Sequence, residues 1–249
     1  MAEDDTEQNP FTRPGFIVGA VVVAALIVAA IVLTVINLNR GNDAAPPAPD
    51  PSSSATASAA PSPEESEAAG GASVCGLEGV ELTGNVTTAP AAEWAFVRTV
   101  AYPTSPEFGP ADLGPEGYPT CFQHSPEGAL FAAATALAVP TDSALVQPWI
   151  DYALSTGPYR ETLLAELGGS SDSSGVRLQV VGFRVLSYDG ETARVDLAVR
   201  GSSEGTTITA STVYELIWED GDWKINANSA TPFDFATIPD TSGYIPWGA

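Results

Sequence analysis

The chain of 249 residues contains few of the side chains on which most catalytic and metal sites depend. It has one histidine, one lysine and two cysteines, and it lacks a glycine-rich phosphate-binding motif. His124 has no partners at metal-ligand spacing. The cysteines do not form a C-x-x-C pair, which excludes a thioredoxin-like redox motif. We therefore predict no metal site, no cofactor and no enzymatic activity.

Carboxylates and tyrosines give little support for acid–base catalysis. The candidates are Asp196, Asp151, Tyr152 and Tyr188. Asp196 lies on the polar side of an alternating strand pattern, so we expect it in solvent. Asp151 lies off the apolar stripe of its predicted helix. For His124 we expect a hydrogen-bonded position at the start of a helix rather than a functional role.

Basic residues are also scarce. Nine Lys and Arg stand against 31 Asp and Glu, which gives a formal net charge of −22. Such a field repels phosphate backbones, and we therefore predict that the chain does not bind nucleic acid.

Charged residues are absent from one long segment near the start of the chain. Residues 16–36 read FIVGAVVVAALIVAAIVLTVI. A helix of this length spans roughly 31 Å, the thickness of a bilayer's hydrocarbon core. The sequence therefore predicts a transmembrane helix over residues 16–38, with the lipid bilayer as its partner and residues 1–15 as a cytoplasmic tail. Gly15 and Gly19 form a G-x-x-x-G motif, which permits helix pairing and a homo-oligomer.

The segment lacks the basic start and the small-x-small cleavage site of a secretory signal, so we interpret it as a retained signal anchor. Arg13 and Arg40 balance one another and do not orient it. Both cysteines follow the segment, as expected for a disulfide in an oxidising compartment. We predict a single-pass protein of the cell membrane, with its N-terminus in the cytoplasm and its C-terminal domain outside.

Large apolar residues are missing from the next segment. From Gly41 to Ser73 the chain is rich in Pro, Ala, Ser and Glu, which predicts a disordered linker over residues 39–73. The remaining residues, 74–249, are sufficient for one outer domain. Its first part is rich in Pro and Gly and suggests an extended arm with one short strand around Trp94–Val100. A Cys75–Cys121 disulfide holds this arm in our interpretation, and two buried free thiols remain the alternative.

Helix signals follow the arm. Ser125 and Pro126 form an N-cap and a first helical residue, ahead of an apolar stripe. A second helix is predicted from Thr141 to Ser155, and a third from Pro158 to Gly168.

Strand signals occupy the rest of the domain. A phase slip at Val181–Gly182 predicts a β-bulge. Beyond it, apolar pairing sets Phe183 opposite Leu197 and Val185 opposite Val195. An Asp220-Gly221 turn sets Trp218 opposite Trp223 and Leu216 opposite Ile225. These elements predict an α+β fold in which helices pack on a bent antiparallel sheet.

Helices followed by bent strands and the hairpin YELIWEDGDWKI (Tyr214–Ile225) resemble the NTF2-like cone. Together with the membrane segment and the linker, the order resembles VirB8-type proteins of conjugative type IV secretion systems. The segments EWAFVRTVAYPTSPEFGP (Glu93–Pro110) and CFQHSPEGALFAAATALA (Cys121–Ala138) resemble uncharacterised single-span membrane proteins of high-GC Gram-positive bacteria, often near conjugative elements.

These resemblances imply a membrane-anchored, non-enzymatic scaffold or assembly component of a conjugation or secretion-type envelope complex. Its outer domain would contact other membrane-complex proteins. The alternative is a tethered extracytoplasmic sensor that binds a small ligand. Trp218, Trp223, Tyr244 and Trp247 are the candidate partner or ligand contacts, because Tyr and Trp are frequent in interface hot spots.

Overall fold

Antiparallel β-sheets dominate the structure, a computed structural model that describes residues 71–168, 177–203 and 206–249. These residues belong to one compact unit, Glu67–Ala249. Strands account for 40% of the described residues and helices for 19%. The predicted tail (1–15), the predicted transmembrane helix (16–38) and most of the predicted linker lie outside the described residues.

Ten strands and three α-helices make up the described chain. In chain order they are β1 (Glu93–Val97), β2 (Val100–Thr104), β3 (Asp112–Leu113), β4 (Pro119–Thr120), α1 (Pro126–Ala138), α2 (Val146–Ala153), α3 (Arg160–Leu167), β5 (Arg177–Tyr188), β6 (Thr192–Ser203), β7 (Thr206–Glu219), β8 (Asp222–Ile225), β9 (Phe233–Thr237) and β10 (Ile245–Pro246). A 3₁₀ turn, Val139–Thr141, follows α1.

One sheet of six strands forms the body of the domain. Its strand order is β10-β5-β6-β7-β8, and β9 pairs with β7 beside β8, so that the two short strands share one side of the long β7. The hairpins β1–β2 and β3–β4 form two separate small sheets. All pairings between these strands are antiparallel.

The four residue pairings predicted above are confirmed. Phe183 pairs with Leu197 on β6, and the ladder shifts between Val180 and Gly182, where the bulge was expected. Trp218 pairs with Trp223 across the turn, in which Asp220 and Gly221 both have positive φ. Positive φ at both central residues is what a type I′ turn requires.

The helices follow the sequence signals only in part. Ser125 caps α1, and its Oγ accepts a hydrogen bond from Gly128 N at 3.0 Å. The second helix begins at Val146 rather than at Thr141, because the residues after α1 form the 3₁₀ turn. The third helix begins at Arg160 instead of Pro158.

The prediction of an α+β cone is wrong, because the described chain is mostly β. The additional strands come from two parts of the sequence that lack strong periodicity, the arm and the C-terminal segment. The arm forms two hairpins instead of one short strand, and the C-terminal segment contributes β9 and β10. Within the described ranges, no helix is long and apolar enough to cross a membrane.

The hydrophobic core lies between α1 and one face of the six-stranded sheet. Phe131 of α1, Phe183 of β5 and Leu197 of β6 are fully buried there. Burial on almost every side of α1 matches its composition, since small Ala side chains allow the sheet and the hairpin β1–β2 to approach it closely. We call this side of the sheet the core face.

A C-terminal strap, residues 238–247, covers the opposite face of the sheet. The chain leaves β9 on the β7 side, contacts Asp196 of β6 through Tyr244, and reaches β5 as β10. Trp247 then packs on the core side against Trp94, Phe131 and Phe183. Both faces of the sheet are therefore covered over much of their area, which a simple alternation pattern does not reveal.

Candidate functional site

A buried carboxylate at the start of β8 forms the most concentrated polar site of the described domain. The side chain of Asp222 is completely inaccessible to solvent. Its Oδ1 accepts hydrogen bonds from Phe122 N and Trp223 N, both at 2.9 Å. Its Oδ2 accepts hydrogen bonds from Cys121 N at 2.8 Å and from the hydroxyl of Tyr152 at 2.6 Å. We call this arrangement the Asp222 clamp.

Lys224 completes the charge pattern of the clamp. Its Nζ lies 3.0 Å from the centre of the Tyr152 ring, in a cation–π contact. Burial lowers the pKa of Lys224 to about 8, against the opposing effect of Asp222. Burial raises the pKa of the Asp222 carboxyl, and its hydrogen bonds and Lys224 act in the opposite direction. Burial also raises the pKa of the Tyr152 phenol, which keeps this hydroxyl a donor.

The polar contacts of this cluster hold segments of the domain together. A carboxylate has about four acceptor positions, and each of the four that Asp222 offers is occupied by an N–H or O–H of the domain itself. Three of these donors are backbone groups of the segment before α1 and of β8. The clamp thus ties the end of the arm to the last hairpin of the sheet.

A small cavity adjoins Tyr152. Its volume is about 20 Å³, which is space for a single water molecule. The Oγ1 of Thr135 lies in its wall and has no hydrogen-bond partner among the described residues. Small-molecule sites typically have volumes of about 300–1,000 Å³. The cavity is therefore too small for an organic ligand.

The two cysteines predicted to pair are bonded next to the clamp. Cys75 and Cys121 form a disulfide with 6.1 Å between their Cα atoms. Ser73 Oγ lies 2.8 Å from Cys121 Sγ, and Gly71 O lies 3.0 Å from Nδ1 of His124. The domain thus includes residues that the sequence assigned to the linker.

The predicted aromatic contacts on the last hairpin lie within the domain's own packing. The ring of Trp218 stacks on His124 with 3.9 Å between centroids. Trp223 is buried, and its Nε1 donates to the carbonyl of Gln123 at 3.1 Å. His124 is fully buried just before the Ser125 cap, and its two ring nitrogens contact the carbonyls of Gly71 and Gly190 rather than the start of the helix.

The two aromatic contacts predicted in the C-terminal segment are also engaged internally. Tyr244 donates its hydroxyl to Asp196 Oδ2 at 2.9 Å, and Arg184 lies over its ring. Trp247 is 7% exposed, and its Nε1 donates to the carbonyl of Pro90 at 3.1 Å. The ring of Trp247 is thus buried, whereas Tyr244 is half-buried.

The expectation that Asp196 faces solvent is wrong. The residue is 1% exposed, with Ser211 Oγ donating to its Oδ1 at 2.7 Å and with Arg184 paired to its Oδ2. Alternation placed the side chain correctly on the face away from the core. That face is covered by the C-terminal strap, which no local pattern on β6 indicates.

Asp222 and Lys224 were missed for a related reason. They alternate with the apolar Trp223 and Ile225, a pattern that normally leaves the charged residues in solvent. In the structure all four residues of β8 are buried, because α2 and the segment around Cys121 cover the second face of the strand. The only signal in the sequence is a lone lysine beside an aspartate in a short strand.

Large apolar side chains are exposed at several places on the described surface. They are Val74, Val80, Leu82, Phe96, Leu113, Tyr159, Leu186 and Phe235. Phe96, on the hairpin β1–β2, is 64% exposed, and Phe235, on β9, is 45% exposed. Acidic, histidine and cysteine side chains form no group suited to a metal ion in the described ranges.

Replacing Asp222 with asparagine should reduce the free energy of unfolding by about 3 kcal/mol, because an amide group then faces buried N–H donors and Lys224 loses its counter-charge. Urea unfolding followed by circular dichroism measures the change. Asp151→Asn is the matched control: its carboxyl is exposed on the same helix as Tyr152, and its effect should stay below about 0.5 kcal/mol. Equal effects of the two variants would show that the clamp does not stabilise the domain.

Comparisons with known proteins give a family but no activity. The model of a family described as a domain of unknown function (DUF8175) matches residues 52–246. No curated protein and no solved structure matches the chain. Nothing in these findings supports an NTF2-like fold, a VirB8-like protein or a part in conjugation or type IV secretion, and we withdraw those interpretations. The relation to single-span proteins of high-GC Gram-positive bacteria stays a prediction. Since the match covers more than half of its length, the chain belongs to the DUF8175 family.

Proposed function

We propose that the described domain is a non-enzymatic binding module that works through protein–protein contacts. The observation that carries this proposal is a contrast between the buried and the exposed side chains. The buried carboxylates of Asp222 and Asp196 are engaged by contacts within the domain, whereas the aromatic side chains Phe96 and Phe235 are exposed on two separate strands.

The saturated groups argue against acid–base chemistry at the buried sites. The four acceptor positions of Asp222 are filled, and both carboxylate oxygens of Asp196 are bound by Ser211, Tyr244 and Arg184. A general base needs a free lone pair within hydrogen-bond reach of its substrate. Asp222 offers none in this arrangement, and Asp196 is 1% exposed with both of its oxygens engaged.

The exposed aromatic residues favour a binding surface. Aromatic side chains supply much of the energy of protein interfaces when a partner buries them. Phe96 projects from a hairpin whose two strands pair, among the described residues, only with each other, and Phe235 lies on a strand at the margin of the main sheet. Both lie on elements held by the domain's core, so a partner would meet a largely pre-formed surface.

We also propose that the domain functions outside the cytoplasm. A disulfide between Cys75 and Cys121 fits an oxidising compartment outside the cytoplasm. The strongly negative charge of the chain favours partners with a neutral or basic surface. Attachment at the outer face of a cell membrane, with other membrane-complex proteins as partners, stays a prediction from the sequence.

The sensor alternative has weaker support. A cavity of about 20 Å³ beside Tyr152 does not accommodate a small organic ligand, and its wall is formed mostly by close-packed apolar side chains. This cavity therefore gives no support for ligand binding as a second function.

Site-specific photo-crosslinking in the producing cell tests the proposal. A photoreactive phenylalanine analogue replaces Phe96 or Phe235 in the full-length protein, and a third variant carries it at Glu161, an exposed residue of α3. We expect discrete adducts of higher mass from Phe96 and from Phe235 and none of comparable yield from Glu161. Three variants with the same weak background would contradict a protein-binding role.

A further inference from the structure

Strand β9 presents a free backbone edge. In the ladder with β7, Glu215 N donates to Pro232 O, and Ile238 N donates to Thr209 O. Hydrogen-bonded pairs alternate along an antiparallel ladder. Asp234 and Ala236 therefore direct their backbone groups toward β7, and Phe233, Phe235 and Thr237 direct theirs away from the sheet. Among the described residues, no backbone group pairs with these outward N–H and C=O groups.

The neighbouring edges differ from β9 in this respect. The outer edge of β8 is engaged, since Ile225 O accepts a hydrogen bond from Ser155 N and Trp223 N is bound by the Asp222 clamp. The outer edge of β5 is partly covered by β10 and by Trp247 N, which donates to Val181 O. By contrast, Asp234 to Thr237 are all exposed.

The side chains of β9 define what a partner strand would meet. Phe235 lies on the core face of the sheet, as does the buried Tyr214. Tyr214 pairs with Phe233, and side chains two residues apart on a strand point to the same face. Asp234 lies on the other face and forms no ion pair within the described ranges. Glu215, on the same face of the adjacent strand β7, is paired with Arg194 at 3.6 Å. Strand β9 therefore presents the apolar ring of Phe235 on one face and the unpaired carboxylate of Asp234 on the other.

We propose that β9 binds an extended segment of a partner protein as an added β-strand, with an apolar side chain against Phe235 and a Lys or Arg beside Asp234. Main-chain hydrogen bonds to Phe233, Phe235 and Thr237 would hold the segment, as in other cases of strand addition. The inference deepens the binding role proposed above, because it names the site and the chemistry of the partner.

Charge decides between such a partner and a second copy of the chain. Two copies would bring together two chains of formal charge −22, and neither β9 carries a basic residue. Like charges across a pair of strands are destabilising, whereas an opposite charge beside Asp234 is favourable. A basic, apolar segment therefore fits the edge better than β9 of a second molecule.

The edge is tested with a fluorescent peptide of sequence TVKVTVK and its acidic counterpart TVEVTVE, titrated with the full-length protein. Thr237→Pro removes one outward N–H without touching the groups that bind β7, and proline is tolerated at such positions of edge strands. We expect the basic peptide to bind the unmodified protein and to lose roughly tenfold in affinity with Thr237→Pro. Asp234→Lys should reverse the preference in favour of the acidic peptide.

Two controls keep the result interpretable. Circular dichroism and urea unfolding should show Thr237→Pro folded and Ala236→Pro destabilised, because only the second removes an N–H that faces β7. Phe235→Lys is a second variant that keeps every N–H and removes the apolar contact, and it should also weaken peptide binding.

Three outcomes would overturn the proposal. The basic peptide does not bind the unmodified protein, or it binds Thr237→Pro and Phe235→Lys as it binds the original chain. Alternatively, the protein associates with itself through β9, and Thr237→Pro abolishes this association, which would assign the edge to a second copy. If any one of these outcomes occurs while Phe96 still yields crosslinks, the proposed binding function is retained and only the proposed site on β9 is wrong.

Discussion

Replacing Trp247 with alanine should lower the free energy of unfolding by about 4 kcal/mol. The indole packs against Trp94, Phe131 and Phe183, with centroid distances of 5.2, 5.3 and 5.5 Å. Its removal leaves a cavity at the junction of α1, β1 and β5 and frees the carbonyl of Pro90 from its hydrogen bond. The loss of this anchor also weakens the strap, so that the carboxylate of Asp196 becomes accessible to water.

Urea unfolding of the full-length protein, followed by tryptophan fluorescence and circular dichroism, measures the loss. Phe235→Ala is the comparison, because it removes an exposed aromatic ring from β9 and should cost less than about 1 kcal/mol. Trp247→Phe should fall between the two variants, since it keeps part of the aromatic packing. If Trp247→Ala is no more destabilising than Phe235→Ala, the strap is not anchored as the structure describes.

Loss of the Cys75–Cys121 disulfide should cost about 4 kcal/mol, through the greater freedom that a loop of 46 residues gains in the unfolded chain. In the native domain the bond holds the first described residues against the Asp222 clamp, since Cys121 N is itself bound by Asp222. Reduction should therefore loosen the arm before it affects the main sheet.

The double variant Cys75→Ser with Cys121→Ser provides the control for reduction. We expect the reductant to destabilise the original protein and to leave the double variant unchanged. On a non-reducing gel the original protein should migrate faster than the double variant. Equal stability of the two proteins in the absence of reductant would contradict the role given to the bond.

Strands β5 to β8 of the main sheet could be predicted from the sequence because their signals are local. Apolar alternation, the Gly182 bulge and the Asp220-Gly221 turn each fix a register within a few residues of the feature itself. The cap at Ser125 is equally local. Such features depend on neighbouring residues and not on which distant segment covers them.

The segments that cover the sheet could not be predicted in the same way. The arm and the C-terminal segment from Phe233 onward have weak periodicity, so nothing in their own sequence predicts β3, β4, β9 or β10. Because the strap covers β6 and the segment before α1 covers β8, carboxylates that alternation assigns to solvent are buried. Asp196 and Asp222 are both examples, and the candidate site was missed for this reason.

The buried charges have a common physical logic. A carboxylate is costly to bury unless hydrogen bonds or a cation compensate the lost hydration. Asp222 has four donors and a neighbouring lysine, and Asp196 has Arg184, Ser211 and Tyr244. Each carboxylate joins segments that are far apart in sequence. We therefore interpret both carboxylates as stabilising the fold, and the exposed strands as the part of the domain that binds a partner.

Photo-crosslinking from Phe235 and from Phe96 in the Thr237→Pro background tests the binding role and its site together. The original chain should give adducts from both positions. Thr237→Pro should abolish the adduct from Phe235 on the altered edge and leave that from Phe96, on the separate hairpin, unchanged. Adducts from Phe235 that persist in Thr237→Pro would contradict strand addition at β9, and the absence of adducts from both positions in the original chain would contradict a protein-binding domain.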